Sequence, residues 1–271
     1  MMIGKPGAAR TAICTSDESS ITVFGHDLCN DLMGKVSFTE FFFLSVTGRL
    51  PTPQQRRFLD VLLVSIAEHG LTPSAQAARM TYAAAPESLQ AAVAAGILGC
   101  GSVVLGASEA AGAVLAAAQA RVAAGEAPEA VADDIATEAR ASGRRMAGFG
   151  HPLHRPVDPR CERILDLAEA EGVAGPHCAL ARALRPAVER AWGKPLVMNV
   201  QIAISAVLLD LGFPTGMMRA VPLLARTAGL LGHLAEEQRQ PIGFLMASHA
   251  EAAIAHAPQD DAAEDNAGAG R

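Results

Sequence analysis

Alanine supplies 55 of the 271 residues of this chain, about one residue in five. Alanine is the best helix former, whereas strands favour aromatic and β-branched residues. Aromatic residues make up only 4% of the sequence. The composition therefore predicts a helical protein, and the length allows one large domain or two smaller ones with a substantial core.

Composition also argues against several classes of protein. Half of the residues are hydrophobic and 18% are charged, unlike a disordered chain. The net charge of −6 argues against a dedicated nucleic-acid-binding protein, which would normally carry a basic stripe. Five cysteines without CxxC spacing predict neither a disulfide framework nor a zinc site, and they favour a reducing, cytoplasmic location. The basic N-terminal stretch is not followed by the apolar segment of a signal peptide.

One uncharged stretch, from Ser88 to Ser108, is long enough to span a membrane. It consists mostly of small residues without a flanking basic cluster or aromatic belt, so a buried helix is the favoured interpretation. The segment Leu196–Val200 fits either a helix or a buried strand. Capping residues, prolines and glycines predict helices over residues 37–48, 53–68, 86–100, 108–122, 128–143, 159–171, 200–211 and 219–238.

The segment GFGHPLHRPVDPR, residues 148–160, carries the densest cluster of chemically useful side chains. A helix with Asp158 as its N-cap follows this loop, and a helix N-terminus attracts anions. Arg155 and Arg160 add permanent positive charge that suits carboxylates and phosphates. His151 follows a Gly-Phe-Gly hinge that can present its imidazole. The segment predicts an anion site with a hydrogen-bonding histidine, and the alternative is a solvated basic turn.

This segment resembles the GFGHRVYKxxDPR signature of the citrate synthase superfamily and matches it at seven positions. Other segments resemble motifs of the same family in the same order, namely Val46–Pro51, Ala67–Gly70, Leu196–Gln201 and Ala225–Gln238. The length is closer to stand-alone citryl-CoA lyases, and to the lyase module of ATP-citrate lyase, than to full citrate synthases. The sequence contains no P-loop motif, so ATP use is not implied.

The resemblance implies a role for each matched side chain. His151 would polarise the reacting ketone or alcohol carbon of the C4 acid. Arg160 and Arg226 would each bind a carboxylate of that acid, and His69 would also contact it. Arg155 matches by type the basic residue that contacts a phosphate of coenzyme A.

Two further residues are candidates in the same helix motif. His233 lies seven residues after Arg226 and can share its helical face, where we expect it to support the substrate-binding site rather than react. Arg239 is the candidate for the family arginine that reaches the neighbouring subunit's site. His69 could instead be a structural histidine at a helix end. Arg226 lies in an apolar stretch without an acidic residue within one helical turn, which favours a functional guanidinium.

Two positions depart from the family pattern. Gln201 stands where the family has the aspartate that removes the α-proton of the thioester, and glutamine cannot accept a proton near neutral pH. Asp210, the next acid along that helix, is too far away to replace it. Val104 stands where citrate synthases have the histidine that donates to the enolate oxygen, a change that the lyase modules share. The acid-binding half of the site is therefore predicted to be intact and the acetyl-CoA half to be altered.

The resemblance implies an all-α, citrate synthase-like fold. Residues 1–105 and 212–257 would form a large helical domain, and residues 106–211 a smaller inserted helical domain, with the acid bound between them. The polar, acidic tail over residues 258–271 is expected to be disordered. The family also implies a homodimer or higher homo-oligomer, with the Ala-rich helix Pro86–Cys100 as a candidate interface.

The function predicted from these motifs is that of a citryl-CoA lyase-like or citrate synthase-type enzyme. It would cleave or form a C–C bond between acetyl-CoA and oxaloacetate, with the coenzyme A thioester as substrate. No permanently bound cofactor, metal, nucleic acid or membrane is expected. Two alternatives remain open, namely a related CoA-thioester enzyme with a different substrate, and a catalytically degenerate regulatory protein that binds a carboxylate or an acyl-CoA.

Overall fold

The computed structural model describes residues 9–101 and 105–256. Most of these residues are helical, which confirms the predicted all-α fold class. In the described residues the α-helices are α1 (Phe38–Thr47), α2 (Pro53–Ala67), α3 (Pro73–Ala84), α4 (Leu89–Leu98), α5 (Gly106–Ala123), α6 (Pro128–Ala141), α7 (Pro159–Ala170), α8 (Pro176–Trp192), α9 (Val200–Asp210), α10 (Ala220–Glu237) and α11 (Gly243–Ala253).

A small antiparallel sheet precedes the helices, and the sequence patterns did not predict it. Its strands are β1 (Cys14–Ser16), β2 (Ile21–Val23) and β3 (His26–Asp27), and a π-helical turn over Leu28–Leu32 follows. Val23 and Leu32 pack with Leu44 of α1 in a small core. The strands are only two or three residues long, so they carry no alternating pattern to recognise.

Local signals set the ends of several helices. Ser37 and Glu40 form a complete capping box at the start of α1, and Gly48 ends that helix in a left-handed conformation. Asp158 and Asn199 cap α7 and α9 through their side chains. The predicted helix ranges agree with the structure to within three residues at each end, and the largest difference is at α4, which begins three residues later and ends two residues earlier than predicted. Helices α3, α8 and α11 were not predicted.

Contacts divide the chain into two units, of which the first takes the described residues up to Ile66 and those from Leu105 to Pro222. Helix α9 forms its centre and packs against α5, α7 and α8. Every residue of α9 from Ile202 to Leu208 is buried. Ala203 and Ala206 let the neighbouring helices approach closely, so the alanine content serves tight helix packing here.

The second unit takes Ala67–Gly101 and the described residues from Leu223 onward. It contains α3, α4, α11 and most of α10. Its core consists of small residues of α3 and α4 around two leucines of α10, namely Ala75, Ala78, Ala92, Leu230 and Leu234. Helix α4 leaves Leu98 82% exposed, so the prediction of a buried helix is wrong for this face in the isolated chain.

These contact units divide the chain at other points than the predicted domains, and the insertion of residues 106–211 as a small domain stays a prediction. The predicted disordered tail, residues 258–271, lies outside the described residues. In the part of the chain that the structure describes, no helix combines the length and apolar character needed to cross a membrane.

Candidate active site

In the first unit, the predicted anion-binding loop is held against the start of α9. The backbone N–H of Gly150 donates to the carbonyl of Val197 at 2.7 Å, and that of Asn199 donates to the carbonyl of Gly148 at 2.9 Å. The chain from Leu196 to Asn199 is therefore extended, and α9 begins at Val200. Gly148 has a φ of +80°, and a Cβ there would come within 2.5 Å of Ile202, so only glycine fits.

His151 emerges from this loop with a defined ring orientation. Its Nδ1 accepts hydrogen bonds from the backbone N–H groups of Leu153 (3.0 Å) and His154 (2.9 Å). A neutral imidazole whose Nδ1 accepts carries its proton on Nε2. Nε2 lies 3.4 Å from Nη2 of Arg160. Two adjacent N–H donors suit a shared oxygen acceptor, such as that of a carboxylate or an α-hydroxy acid.

Asp158 orients Arg160 and connects two helix N-termini. Its carboxylate is fully buried and receives the backbone N–H, Nε and Nη2 of Arg160 at 3.0, 3.1 and 3.0 Å. It also accepts from the backbone N–H of Val200, in the first turn of α9, at 3.0 Å. Burial alone would raise the pKa of Asp158, but the hydrogen bonds and charge of Arg160 outweigh it and hold the pKa below its usual range. Sequence reasoning predicted the cap on α7 but missed the bond to α9.

Arg155 lies on the other side of the loop. Its Nη1 donates to the carbonyl oxygens of His151 and, at 2.7 Å, of His154. Arg155 and His151 line a cavity of about 590 Å³ together with Lys194, Leu196 and neighbouring residues. Sequence reasoning did not single out Lys194, which follows the glycine that ends α8. Two cations on one cavity suit a phosphate-bearing ligand.

Gln201 occupies the first turn of α9, and its backbone N–H donates to the Oδ1 of Asn199 at 3.1 Å. The Nδ2 of Asn199 in turn donates to the carbonyl of Gly150 at 2.9 Å, so Gln201 is fixed relative to the loop. Its side-chain Oε1 is buried and receives no hydrogen bond from the described residues. Val104, the second departed position, lies outside the described residues.

Asp210 is hydrogen-bonded to other residues and does not supply the carboxylate that is missing at Gln201. At the far end of α9 it accepts the backbone N–H groups of Gly175, His177 and Cys178 at 2.8 to 3.0 Å, and the Nδ1 of His177 at 2.8 Å. These contacts fix the N-terminus of α8. Burial alone would raise the pKa of Asp210, but these hydrogen bonds hold it below its usual range.

In the second unit, His69 lies in the turn that follows α2 and is half-buried. Arg226, on α10, is 7% exposed. It lines a small recess with Glu68, Thr72 and His233, among others. No acidic residue of α10 lies within one helical turn of Arg226, so Glu68, the residue before His69, supplies the acidic side chain of the recess.

His233 and Arg239 have different surroundings. The Nε2 of His233 lies 3.0 Å from Oε1 of Glu68, and its Nδ1 lies 3.3 Å from Nη1 of Arg79. Because both ring nitrogens have protein partners, the geometry favours a supporting role over direct contact with substrate. Arg239 follows α10, is exposed, and borders an open cavity of about 410 Å³ with Glu68 and Glu236.

A family model and curated relatives both relate this chain to citrate synthases. The family model described as "Citrate synthase, C-terminal domain" matches residues 24–243. A citrate synthase of Deinococcus radiodurans is 28% identical over 201 residues, which cover 69% of this chain and 49% of that protein. The chain thus spans about half the length of the curated relatives it matches.

Solved structures extend the likeness to nearly the whole chain. Citryl-CoA lyase from Hydrogenobacter thermophilus superposes with a TM-score of 0.76 at 32% identity, covering 85% of this chain and 87% of that one. An ATP citrate lyase from Methanothrix soehngenii, solved with citrate and coenzyme A, has a TM-score of 0.73 at 22% identity. It covers 88% of this chain and 40% of that one, and it supports the fold alone.

Proposed function

The chain belongs to the citrate synthase family, and we propose that within this family it acts as a citryl-CoA lyase, splitting citryl-CoA into acetyl-CoA and oxaloacetate. The observation that carries the proposal is the match to the Hydrogenobacter lyase, which spans most of both chains. The loop geometry supports it, because His151 and Arg160 present neighbouring donors suited to an α-hydroxy acid.

The acid-binding roles are carried over from the residues that match the family motifs. Arg160 and Arg226 would each bind one carboxylate, and His69 would contact the acid. His151 would donate from Nε2 to the oxygen that changes from tertiary alcohol to ketone. As the C–C bond breaks, its electron pair passes to the thioester α-carbon, and the resulting enolate takes up a proton from water to give acetyl-CoA. Because Nε2 of His151 already carries a proton, the hydroxyl proton passes to water. His151 therefore serves as a hydrogen-bond donor to that oxygen.

Arg155 and Lys194 would hold the coenzyme A part of the substrate by its phosphates. The coenzyme A thioester is then a substrate that binds and dissociates in each turnover, and the proposal includes no permanently bound cofactor. Arg155 donates to two carbonyl oxygens of the loop, whereas the described hydrogen bonds include none from the Lys194 side chain to the loop. Replacing Lys194 should therefore disturb the loop less than replacing Arg155 would.

We expect Lys194→Ala to raise the KM for citryl-CoA by about tenfold, since one charge-assisted hydrogen bond contributes roughly 1.5 kcal/mol. The kcat should change less than twofold, because the phosphates lie far from the bond that breaks. Steady-state kinetics at low and high salt would measure this, with Lys35→Ala, an exposed lysine in the same unit, as the control. An unchanged KM would remove Lys194 from the proposed site.

A direct assay tests the function. Purified protein is mixed with citryl-CoA, and the oxaloacetate released is reduced by malate dehydrogenase with loss of NADH absorbance. We expect oxaloacetate release well above the rate without protein, and release equal to that background would refute the proposal.

The glutamine at position 201 favours one second candidate, a non-catalytic protein that binds a carboxylate or an acyl-CoA. Thermal stabilisation by citrate or coenzyme A without turnover would support that candidate.

We also propose a homodimer in which α4 forms part of the interface. Helix α4 leaves Leu98 82% and Leu89 39% exposed, and its small residues allow close approach of a second helix. We expect light scattering to give twice the chain mass, and Leu98→Glu to shift it toward the monomer. A monomeric mass for the unaltered protein would contradict the proposal.

The lack of a disulfide pattern supports a cytoplasmic location.

A further inference from the structure

The turn that carries His69 is held by the carboxylate of the residue before it. Oε1 of Glu68 accepts the backbone N–H groups of His69 at 2.7 Å and of Gly70 at 2.6 Å. Gly70 has a φ of +73°, so the chain reverses sharply at this point. The backbone position of His69 therefore depends on where the Glu68 carboxylate lies.

His233 fixes that carboxylate from the side of α10. Arginine only donates hydrogen bonds, so the contact of 3.3 Å between Nη1 of Arg79 and Nδ1 of His233 makes Nδ1 the acceptor. The ring proton of the neutral imidazole is then on Nε2, which donates to Oε1 of Glu68 at 3.0 Å. A single carboxylate oxygen thus receives three N–H groups, two from the turn and one from α10.

Arg79 anchors the other end of this chain of contacts. Its side chain is 2% exposed and is bound at 2.6 Å by both Glu236 and Glu237. Burial alone would lower the pKa of Arg79, but the two carboxylates raise it, so the guanidinium stays charged. Glu237, itself buried, also accepts the backbone N–H groups of Ile242 and Gly243 at the start of α11. The anchor therefore joins α3, α10 and α11.

The backbone of α10 also touches the turn directly. A Cβ on Gly229 would collide with the carbonyl oxygen of Ala67, the residue just before Glu68. Glycine at this position lets α10 approach to backbone distance. Glu68 and Arg226 line the same recess, so the turn and the predicted carboxylate-binding arginine share one rigid frame.

We propose that Glu68 is a positioning residue, which with His233 and Arg79 sets the imidazole of His69 for contact with the C4 acid. This inference rests on the proposed function in one respect, that His69 binds the acid. Glu68 itself does not touch the substrate. Its role requires an acceptor oxygen at Oε1, which glutamine can supply and alanine cannot.

The test compares Glu68→Ala and Glu68→Gln with Glu87→Ala, an exposed glutamate of the same unit, as the matched control. The first readout is the Cε1–Hε1 NMR signal of His69, assigned by its loss in His69→Gln. The second is the Kd for citrate and for coenzyme A by calorimetry. We expect Glu68→Ala to shift or broaden the His69 signal and to weaken citrate binding about tenfold, the effect of losing one charge-assisted hydrogen bond.

The remaining results separate positioning from general damage. Coenzyme A binding should stay within twofold in Glu68→Ala, and Glu68→Gln should recover most of the citrate affinity and the His69 signal. His233→Leu removes one of the three hydrogen bonds to Oε1 of Glu68 and keeps the two from the turn, so it should perturb the His69 signal less than Glu68→Ala does. An unmoved His69 signal in Glu68→Ala would overturn the proposal, and so would equal losses in the alanine and glutamine variants. If the unaltered protein binds no citrate, the proposed function fails, and the NMR signal alone decides the positioning role.

Discussion

Asp158→Asn should destabilise the protein by about 3 kcal/mol at neutral pH, because it leaves the partly buried Arg160 without its charge partner. Asparagine caps a helix as well as aspartate does, so the N-cap of α7 can persist. What is lost is the charge, together with the second carboxylate oxygen, which receives Nη2 of Arg160 and the N–H of Val200. An amide nitrogen in that place would face two donors.

The effect should depend on pH in a defined direction. The folded-state pKa of Asp158 lies below its usual range. The stability from its ionised form is therefore present above its ordinary pKa of about 3.9 and is lost as pH falls through the folded-state pKa. The difference in the free energy of unfolding between the unaltered protein and Asp158→Asn should thus become smaller as the pH falls below about 4. Asp210 also has a lowered pKa, but it is present in both proteins and cancels in the difference.

Urea unfolding at pH 7 and near pH 3 would measure this. Asp166→Asn is the matched control, since Asp166 also lies on α7 but is 61% exposed and makes only a 3.4 Å contact with Arg182. We expect that control to change the free energy of unfolding by less than about 0.5 kcal/mol. If Asp158→Asn lowers the free energy of unfolding by less than about 1 kcal/mol, or by the same amount at both pH values, the Asp158 carboxylate does not hold α7 and α9 together.

Helix positions could be predicted from the sequence because their signals are local. The capping box of Ser37 and Glu40 spans three residues, and Asp158 precedes the proline that opens α7. The contacts that complete each half of the site join distant residues. Asp158 meets Val200 across 42 positions, and Glu68 meets His233 across 165. No periodicity or cap reports such pairs, so folding alone brings them together.

Motif matching and the structure contributed different parts of the candidate site. The motifs supplied His151, Arg160 and Arg226, whose chemistry is recognisable by residue type. They assigned no role to Lys194 or to Glu68, although Glu68 lies within the matched segment Ala67–Gly70. The roles proposed for these two charged side chains depend on the residues that surround them in the folded protein. The motifs also left the ring orientation of His151 open. The two backbone N–H groups at Nδ1 define it.

Gln201→Asp should raise the rate of the reactions that need a base at the thioester α-carbon. A well-placed general base contributes a factor of about a hundred to ten thousand, so we expect at least a hundredfold gain in citrate formation from acetyl-CoA and oxaloacetate. The fold should tolerate the change, because position 201 is in the first turn of α9, where the helix dipole favours a negative charge. Asn199 still caps the helix.

The cleanest readout is exchange of the acetyl-CoA methyl protons with D₂O, followed by NMR, because it reports proton removal without C–C bond formation. Gln201→Asn is the matched control, since it has the length of aspartate but no basic oxygen, and it should show no gain. Exchange and synthesis that rise only in Gln201→Asp would identify the missing carboxylate as the limiting defect. Equal rates in all three proteins would mean that another group removes the proton, and that the acetyl-CoA half of the site works without a carboxylate at position 201.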